Sequence, residues 1–286
     1  MLGLLVGCGD GSEDPEQAVG TSRSTPSAPD STTSSPPAST SRPASTAVPD
    51  DVTSPHPTEP HSPTTPLPAP PAAFPAALRG QDVTVIPTSQ QLVALTFDAG
   101  ANSAGLPGIL ATLRDQHVSA TFFLTGRWAA GNPSQVRSIR AAGHRVGNHS
   151  MDHPYVTRLS TAQISEQLTA AQQAIQAAGA DPRPLFRFPY GDRDARTIAA
   201  VNDLGYLPVR WTVDTLGWKG TNGGMSAQQV SDRAVGALRP GAIVLMHIGS
   251  NPDDGTTLDA DALPGMIDRM RGAGYSFVTL DSLLGH

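Results

Sequence analysis

The chain has 286 residues, of which 38% are hydrophobic and 15% charged, and its formal net charge at pH 7 is −6. Residues 1–80 hold 16 of the 27 prolines but only one aromatic residue, so they cannot supply a core, and the length does not imply two domains. The remaining residues carry 16 basic and 17 acidic side chains, which argues against nucleic-acid binding. The single cysteine excludes a disulfide framework and a cysteine-based zinc cluster.

The first eight residues form an apolar run that ends in Leu5-Val6-Gly7-Cys8. This run resembles the lipobox of bacterial lipoproteins, in which the signal is cleaved before a cysteine that is then lipidated, so Cys8 is the predicted lipidation site. A signal peptide needs a basic start and a longer apolar stretch. Either the true start therefore lies upstream, or the apolar start is a coincidence. Contact with a membrane is expected only through this anchor, because no run is long enough to span one.

Residues 9–80 are dominated by Ser, Thr, Pro, Ala and Asp, a composition that stays extended and solvated because it has little to bury. They are predicted to be a disordered linker, either a tether that carries a domain from a membrane anchor into a cell wall or a tail without a specific role. The folded domain is predicted to comprise residues 81–286, and a monomer is expected.

Short β-rich runs alternate with helical patterns through the folded part. Strands are predicted at residues 92–97, 120–124, 145–148, 185–188, 208–213, 242–247 and 276–280. Helices are predicted at 105–116, 133–142, 160–179, 194–204, 226–238 and 260–272. The clearest helix starts with a capping box at Ser160 and repeats apolar residues at spacings of four and three. Seven such units imply a parallel α/β fold, either a barrel or an open doubly wound sheet.

Both architectures place their sites at the C-terminal ends of the strands. The residues at those ends are polar and titratable: Asp98, Arg127, His149, Arg187 with Tyr190, Asp214 and His247. The Gly-rich dinucleotide fingerprint, the Walker loop and the serine nucleophile elbow do not occur, so the activities that depend on them lose support.

Taken singly, each of these residues has an ordinary structural explanation. Asp98 could form a turn, Arg187 could lie on the surface, and His247 could be a packed histidine of a buried strand. His149 and His153 are four residues apart, so on one helical turn both could face one metal ion, although this spacing also arises by chance. Their succession at neighbouring strand ends is what indicates a site.

Five segments, at residues 96–100, 149–153, 187–191, 214–218 and 245–247, resemble in order the five motifs of the polysaccharide deacetylase family, also called the NodB-homology domain or carbohydrate esterase family 4. The resemblance implies a distorted (β/α)7-type barrel. It also implies metal-assisted hydrolysis of an N-acetyl group, less often an O-acetyl ester, on a sugar. The expected substrate is an extracellular polysaccharide, with peptidoglycan leading, and the expected metal is zinc or cobalt. The expected location is the extracellular face of the cell membrane.

The same resemblance assigns roles residue by residue. His149 and His153 would bind the metal. Asp98 would act as the general base and His247 as the general acid, and a carboxylate beside the imidazole would favour its protonated form. Arg187 would orient Asp98, and Asp214 would hold and charge His247.

Three further residues are implied to bind the substrate. Leu245 and Trp218 would form the walls of the acetyl pocket, and the backbone N–H of Tyr190 would help to stabilise the oxyanion.

One position departs from the family pattern. The first motif usually carries a second aspartate that is the third metal ligand, and here that position is Ala99. Four oxygen donors could substitute for it: Asp98 itself, Asn102, Asp152 and Asp192. The departure leaves three hypotheses open: an active sugar deacetylase, a non-catalytic wall-associated glycan-binding protein on the same fold, and an unrelated hydrolase of small amides or esters.

Overall fold

The computed structural model describes residues 74–285. The predicted lipidation site Cys8 and the predicted linker as far as residue 73 lie outside the described residues. Phe74 and Leu78, which the composition assigned to the linker, are buried and pack in one cluster with Val83 and Ile86. The assignment of residues 74–80 to a disordered linker is therefore wrong, because two apolar side chains in this segment find a place in the core.

The described residues form one parallel sheet of eight strands with seven α-helices. The strands are β1 (Leu92–Ala99), β2 (Thr121–Leu124), β3 (Arg145–Asn148), β4 (Leu185–Phe186), β5 (Leu207–Pro208), β6 (Val213–Asp214), β7 (Ala242–His247) and β8 (Ser276–Phe277). The helices are α1 (Leu106–Asp115), α2 (Gly126–Gly131), α3 (Pro133–Ala141), α4 (Thr161–Ala177), α5 (Ala195–Asp203), α6 (Ala227–Gly236) and α7 (Leu258–Gly272).

The strand order shows that the sheet curls into an incomplete barrel. The order is β5-β4-β3-β2-β1-β7-β6, with β8 added beside the start of β1. The two edge strands, β5 and β6, follow each other in the chain with only residues 209–212 between them. So short a connection spans less than about 20 Å, so the two edges of the sheet must face each other. The barrel prediction is confirmed, the doubly wound alternative is excluded, and the single strand expected at 208–213 is two strands.

The side chains of β1 alternate between two environments. Val93, Leu95 and Phe97 belong to the large core cluster that the sheet forms with the helices. Ala94 belongs to a second cluster, and Asp98 shares its parity along the strand, so both point to the inner face of the curled sheet. This alternation delivers Asp98 to the inside of the barrel at the C-terminal end of β1.

Helix α4 illustrates how the local sequence determines an element. Ser160 Oγ accepts a hydrogen bond from the backbone N–H of Gln163, and the Gln163 side chain accepts one from the backbone N–H of Ser160. The predicted apolar face is buried, and it contains Ile164, Leu168, Ala171 and Ile175. Helix α2 was not predicted, because six residues are too few to show a helical period. Within residues 74–285 no helix is both long and apolar enough to cross a bilayer.

Candidate active site

A cavity of about 570 Å³ opens at the C-terminal ends of the strands. Its lining contains eight of the residues predicted from the sequence: Asp98, His149, His153, Tyr190, Asp214, Trp218, Leu245 and His247. Gly100, Ala101 and Trp211 complete the lining. Arg187 does not line the cavity. Its fully buried side chain contacts Asp98, which does line it.

The buried guanidinium of Arg187 holds the carboxylate of Asp98 in place. Nη1 of Arg187 lies 2.9 Å from Oδ1 of Asp98 and donates a second hydrogen bond, also of 2.9 Å, to Thr96 Oγ1. The rest of the guanidinium is fixed by the backbone carbonyls of Val209 and Arg210, at 3.1 and 2.8 Å. Four hydrogen bonds to one planar group leave it little freedom, so the position of the Asp98 carboxylate is fixed as well.

The carboxyl group of Asp98 is only 8% exposed. Burial alone would raise its pKa, but the positive charge of Arg187 and its hydrogen bond outweigh the burial, so that the pKa is lowered. Asp98 is therefore an ionised carboxylate that faces the cavity, the form that a general base requires.

The two histidines meet as expected, although not on a helical turn. Their ring centroids lie 4.8 Å apart with the planes at 71°. Residues 149–155 contain no helix, and Ser150 and His153 have left-handed backbone angles, with φ of 66° and 60°. The side chain of Asn148 accepts a hydrogen bond from Ser150 N, and Ser150 Oγ accepts one from His153 N. These bonds stabilise a loop in place of the predicted helical turn.

The orientation of His149 leaves one nitrogen for a ligand. Its Nδ1 lies 2.9 Å from the backbone oxygen of Arg187, so Nδ1–H donates to that oxygen and Nε2 carries the lone pair. Nε2 is 3.4 Å from Oδ2 of Asp98. Two acceptor atoms that face each other across this distance are stabilised by a cation. Burial lowers the pKa of both imidazoles, that of His153 to about 4, so both are neutral at neutral pH, as metal binding requires.

The third metal ligand of the family has no direct replacement at its own position. Ala99 is fully buried and packs in the helix-facing core with Leu95 and Phe97. Among residues 74–285 no group of three or more His, Cys, Asp or Glu side chains is arranged as a complete metal site. The side chains therefore fit a metal held by two histidines, with Asp98 as the nearest carboxylate.

The other three oxygen donors considered from the sequence are engaged elsewhere. The Asn102 side chain accepts hydrogen bonds from the backbone N–H groups of Ala104 and Ser250. Asp152 pairs with Arg127 and Gln167. The Asp192 carboxylate accepts from Thr157 N and Thr157 Oγ1. Of the four candidates only Asp98 faces the histidines.

His247 closes β7, beside Asp98 of β1 in the sheet register. The sequence assigned Asp214 as its carboxylate partner, and this contact is not formed. The Asp214 carboxylate instead accepts hydrogen bonds from Leu216 N at 2.8 Å and from Trp218 Nε1 at 3.2 Å. The carboxylate next to the imidazole is Asp259, whose Oδ2 lies 3.7 Å from His247 Nδ1.

Burial lowers the pKa of His247, but the carboxylates of Asp259, Asp98 and Asp214 outweigh the burial and the net shift is upward. A raised pKa favours the imidazolium form, which a general acid must hold before it donates a proton. Asp214, although not in contact, contributes to this shift through its charge.

Three exposed aromatic side chains lie at the rim of the cavity or next to it. Tyr155, Tyr190 and Trp218 are the only large hydrophobic side chains exposed in the described part of the chain. Tyr190 has a left-handed backbone (φ 58°, ψ 4°) and stacks on Tyr155 with ring centroids 4.3 Å apart. A left-handed backbone at a non-glycine residue such as Tyr190 costs about 1–3 kcal/mol and is typical of functional sites.

Leu245, in contrast, is 3% exposed and forms part of the inner wall of the cavity.

Asp259, Tyr155 and Trp211 were not identified from the sequence. Tyr155 lies two residues from His153 and Trp211 lies three residues from Asp214, and their aromatic character was the available signal. Asp259 gives no such signal, because an acidic residue in the first turn of a helix is expected from the helix dipole alone.

A family model described as polysaccharide deacetylase matches residues 86–209. The peptidoglycan-N-acetylglucosamine deacetylase PgdA of Listeria monocytogenes is 35% identical over 213 residues, which are 74% of this chain and 42% of that protein. This chain therefore spans about two fifths of the length of that relative. The peptidoglycan-N-acetylglucosamine deacetylase of Bacillus cereus is 33% identical over 198 residues, covering 69% of this chain and 70% of that one.

Among solved structures, a carbohydrate esterase family 4 pseudoenzyme from Bacillus anthracis has a TM-score of 0.62 at 33% identity, covering 68% of this chain and 66% of that chain. A mutant of the same pseudoenzyme, described as having restored enzymatic activity, also has a TM-score of 0.62. The relatives of this chain thus include both named deacetylases and a protein of the same fold that lacks activity.

Proposed function

This chain belongs to the polysaccharide deacetylase family, and we propose that it is a metal-dependent hydrolase that removes acetyl groups from N-acetylated sugars of a cell-wall polysaccharide. The observation that carries the proposal is the combination in one cavity of an ionised carboxylate, Asp98, and an imidazole with a raised pKa, His247, beside a pair of neutral histidines. Hydrolysis of an amide needs a base and an acid at the same carbonyl, and each contributes typically ~10²–10⁴-fold to the rate.

The residues divide the work as follows. His149 and His153 would hold a divalent metal ion, zinc or cobalt, which would supply Lewis acidity to polarise the acetyl carbonyl and make water more acidic. Asp98, held by Arg187, accepts a proton as the water oxygen bonds to the carbonyl carbon. His247 donates a proton to the sugar nitrogen as the carbon–nitrogen bond breaks. The products are acetate and a free amino sugar.

The substrate-binding proposal rests on the lining of the cavity. Leu245 provides an apolar inner wall for the methyl of an acetyl group, and Trp218, which also lines the cavity, is held by the hydrogen bond from its indole N–H to Asp214. The exposed rings of Tyr190 and Trp218 offer flat surfaces to a sugar chain, and the backbone N–H of Tyr190 is proposed to stabilise the oxyanion. The substrate class that we propose is peptidoglycan, because both relatives described above are named for it.

The proposed place of action is the extracellular face of the cell membrane, within reach of the wall. Two considerations support it: the relatives act by name on peptidoglycan, and the N-terminal sequence resembles a lipobox with Cys8 as the lipidated residue.

The proposal is tested by measuring acetate release from purified peptidoglycan by the full chain. Acetate release is expected to require added zinc or cobalt, to stop with a chelator, and to fall at least about 10²-fold in Asp98→Asn and His149→Ala. Asp152→Asn is the matched control, because Asp152 lies three residues from His149 and pairs with Arg127 and not with the site. Acetate release that survives Asp98→Asn would contradict the assigned base.

A second candidate function is favoured by Ala99 and by the pseudoenzyme of the same fold: a wall-associated glycan-binding protein without catalysis. It predicts that the chain sediments with peptidoglycan but releases no acetate with any divalent metal. That result would replace the deacetylase proposal, whereas metal-dependent acetate release would exclude the binding-only alternative.

A further inference from the structure

Asp259 is a buried carboxylate directed at the imidazole of His247. It lies in the first turn of α7 and is 3% exposed. Its Oδ1 accepts a hydrogen bond of 2.6 Å from Thr215 Oγ1, and its Oδ2 accepts one of 2.9 Å from the backbone N–H of His247. The same Oδ2 lies 3.7 Å from His247 Nδ1. In the described residues no atom lies within hydrogen-bond range of that buried nitrogen.

No other basic side chain in residues 74–285 lies within 4.0 Å of the Asp259 carboxylate. A buried carboxylate is stable only when it is hydrogen-bonded and paired with a charge, and the imidazolium of His247 is the one partner available for pairing. The separation of 3.7 Å is an ion-pair contact and lies beyond hydrogen-bond range. Catalytic hydrogen bonds are often long before the substrate binds and shorten in the complex.

The Asp259 carboxylate lies against the main chain at Gly217, where there is no side chain. A Cβ built on Gly217 would lie 2.4 Å from Oδ1 and 2.6 Å from Cγ of Asp259. The backbone of Gly217 is not in the left-handed region, so its conformation does not itself require glycine. The carboxylate of Asp259 therefore occupies the volume that a side chain at residue 217 would otherwise fill.

We propose that Asp259 is the positioning residue of the general acid. Its carboxylate holds Nδ1–H of His247 so that Nε2–H points into the cavity. The absence of a side chain at Gly217 leaves the space that this carboxylate, reaching in from α7, occupies. The proposal rests on the proposed deacetylase function for the role of His247, but the contact itself can be tested without activity. The charges of Asp98 and Asp214 also raise the pKa of His247. Both residues are kept in the Asp259 variants, so a change in that pKa reports the loss of the Asp259 charge.

The first experiment follows the titration of His247 by NMR in the full chain with labelled histidine, the signal being assigned with His247→Gln. Asp259→Asn is expected to lower the pKa of His247, while the amide can still accept from His247 N and donate to Thr215 Oγ1, so the fold is kept. Asp261→Asn removes the same charge from an exposed position two residues along α7 and is expected to leave the titration unchanged. An equal shift in both variants, or none in Asp259→Asn, would overturn the proposal.

The second experiment moves the carboxylate. Asp259→Ala is expected to lower kcat for acetate release at least about tenfold with little change in KM, because the acid and not the substrate is affected. Gly217→Asp added to Asp259→Ala places a carboxylate in the vacated volume and is expected to restore kcat at least in part. If kcat of the double variant is no higher than that of Asp259→Ala, a carboxylate at residue 217 cannot replace the contact with His247 Nδ1, and the role proposed for Gly217 is wrong. If the parent chain releases no acetate, the proposed function fails, and the NMR titration still decides the Asp259 contact.

Discussion

Replacing Arg187 with methionine removes the most deeply buried charge beside the cavity while keeping a side chain of similar length. The guanidinium is fully buried, donates four hydrogen bonds and lies with its central carbon 4.1 Å from the centroid of the Phe123 ring. Methionine can keep the contact with the ring but none of the hydrogen bonds. Asp98 would then be an ionised carboxylate, 8% exposed, without its cationic partner.

The expected cost follows from that geometry. Removing one partner of a buried ion pair typically destabilises a protein by about 3–5 kcal/mol, because the remaining charge is desolvated and unpaired. For a domain of this size each kcal/mol lowers Tm by about 2–4 °C, so Arg187→Met is expected to lower Tm by roughly 6–20 °C.

The assay is thermal and urea unfolding of the full chain, with a chelator present so that a bound metal does not mask the change. The matched control is Arg127→Met, which breaks the exposed pair with Asp152, whose side chains are 77% and 40% exposed. An exposed pair contributes about 1 kcal/mol or less. Adding Asp98→Asn to Arg187→Met removes the unpaired charge and is expected to recover stability. If Arg187→Met costs no more stability than Arg127→Met, or if adding Asp98→Asn restores none, the buried pair of Arg187 and Asp98 does not stabilise the fold as expected.

Two further predictions concern the fold. Ser160→Ala removes the capping box of α4 and is expected to lower the free energy of unfolding by about 1 kcal/mol in urea titrations, whereas Thr161→Ala, at the next and exposed position, has little effect. Burial lowers the pKa of His144 from 6.5 to about 4, so the unfolded chain binds more protons between these values, and stability falls as the pH is lowered through this range. The contribution of His144 is at most about 3 kcal/mol, and His144→Gln is expected to flatten the pH dependence of the unfolding free energy. An unchanged slope would assign the acid sensitivity to other groups.

The sequence was sufficient to predict which residues gather at the C-terminal edge of the sheet. Asp98, His149, Arg187 and His247 each end or follow a β-rich run, and in a parallel curled sheet those ends meet at one edge. The fold class and the family followed from the alternation of elements and from the order of the motifs. These features are local or depend only on chain order, which a single sequence displays.

Apart from the local hydrogen bond from Leu216 N to Asp214, the details that the sequence did not predict depend on contacts between distant residues. Nothing in the neighbourhood of Asp214 indicates that its carboxylate binds Leu216 N in place of His247. The pairing of His247 with Asp259 requires α7 to return over the end of the sheet, and it requires the absence of a side chain at Gly217. The division of the run at 208–213 into two strands is also a tertiary effect, because that segment joins the two edges of the curled sheet.

The pairing of β1 with β7 places Asp98 opposite His247, so the proposed base and acid are neighbours in a backbone ladder. The separation of their backbones is consequently set by the spacing between paired strands, about 4.8 Å, and not by the conformation of a loop. A slip of one residue would turn one of them away from the cavity, so the ladder also sets which chemistry is possible. Tyr190 and Trp218, in contrast, lie in short 3₁₀ turns outside the sheet. The residues proposed to carry out proton transfer and those proposed to bind the sugar chain therefore lie in separate parts of the fold, so a substitution at the rim can leave the backbone spacing of the proposed base and acid unchanged.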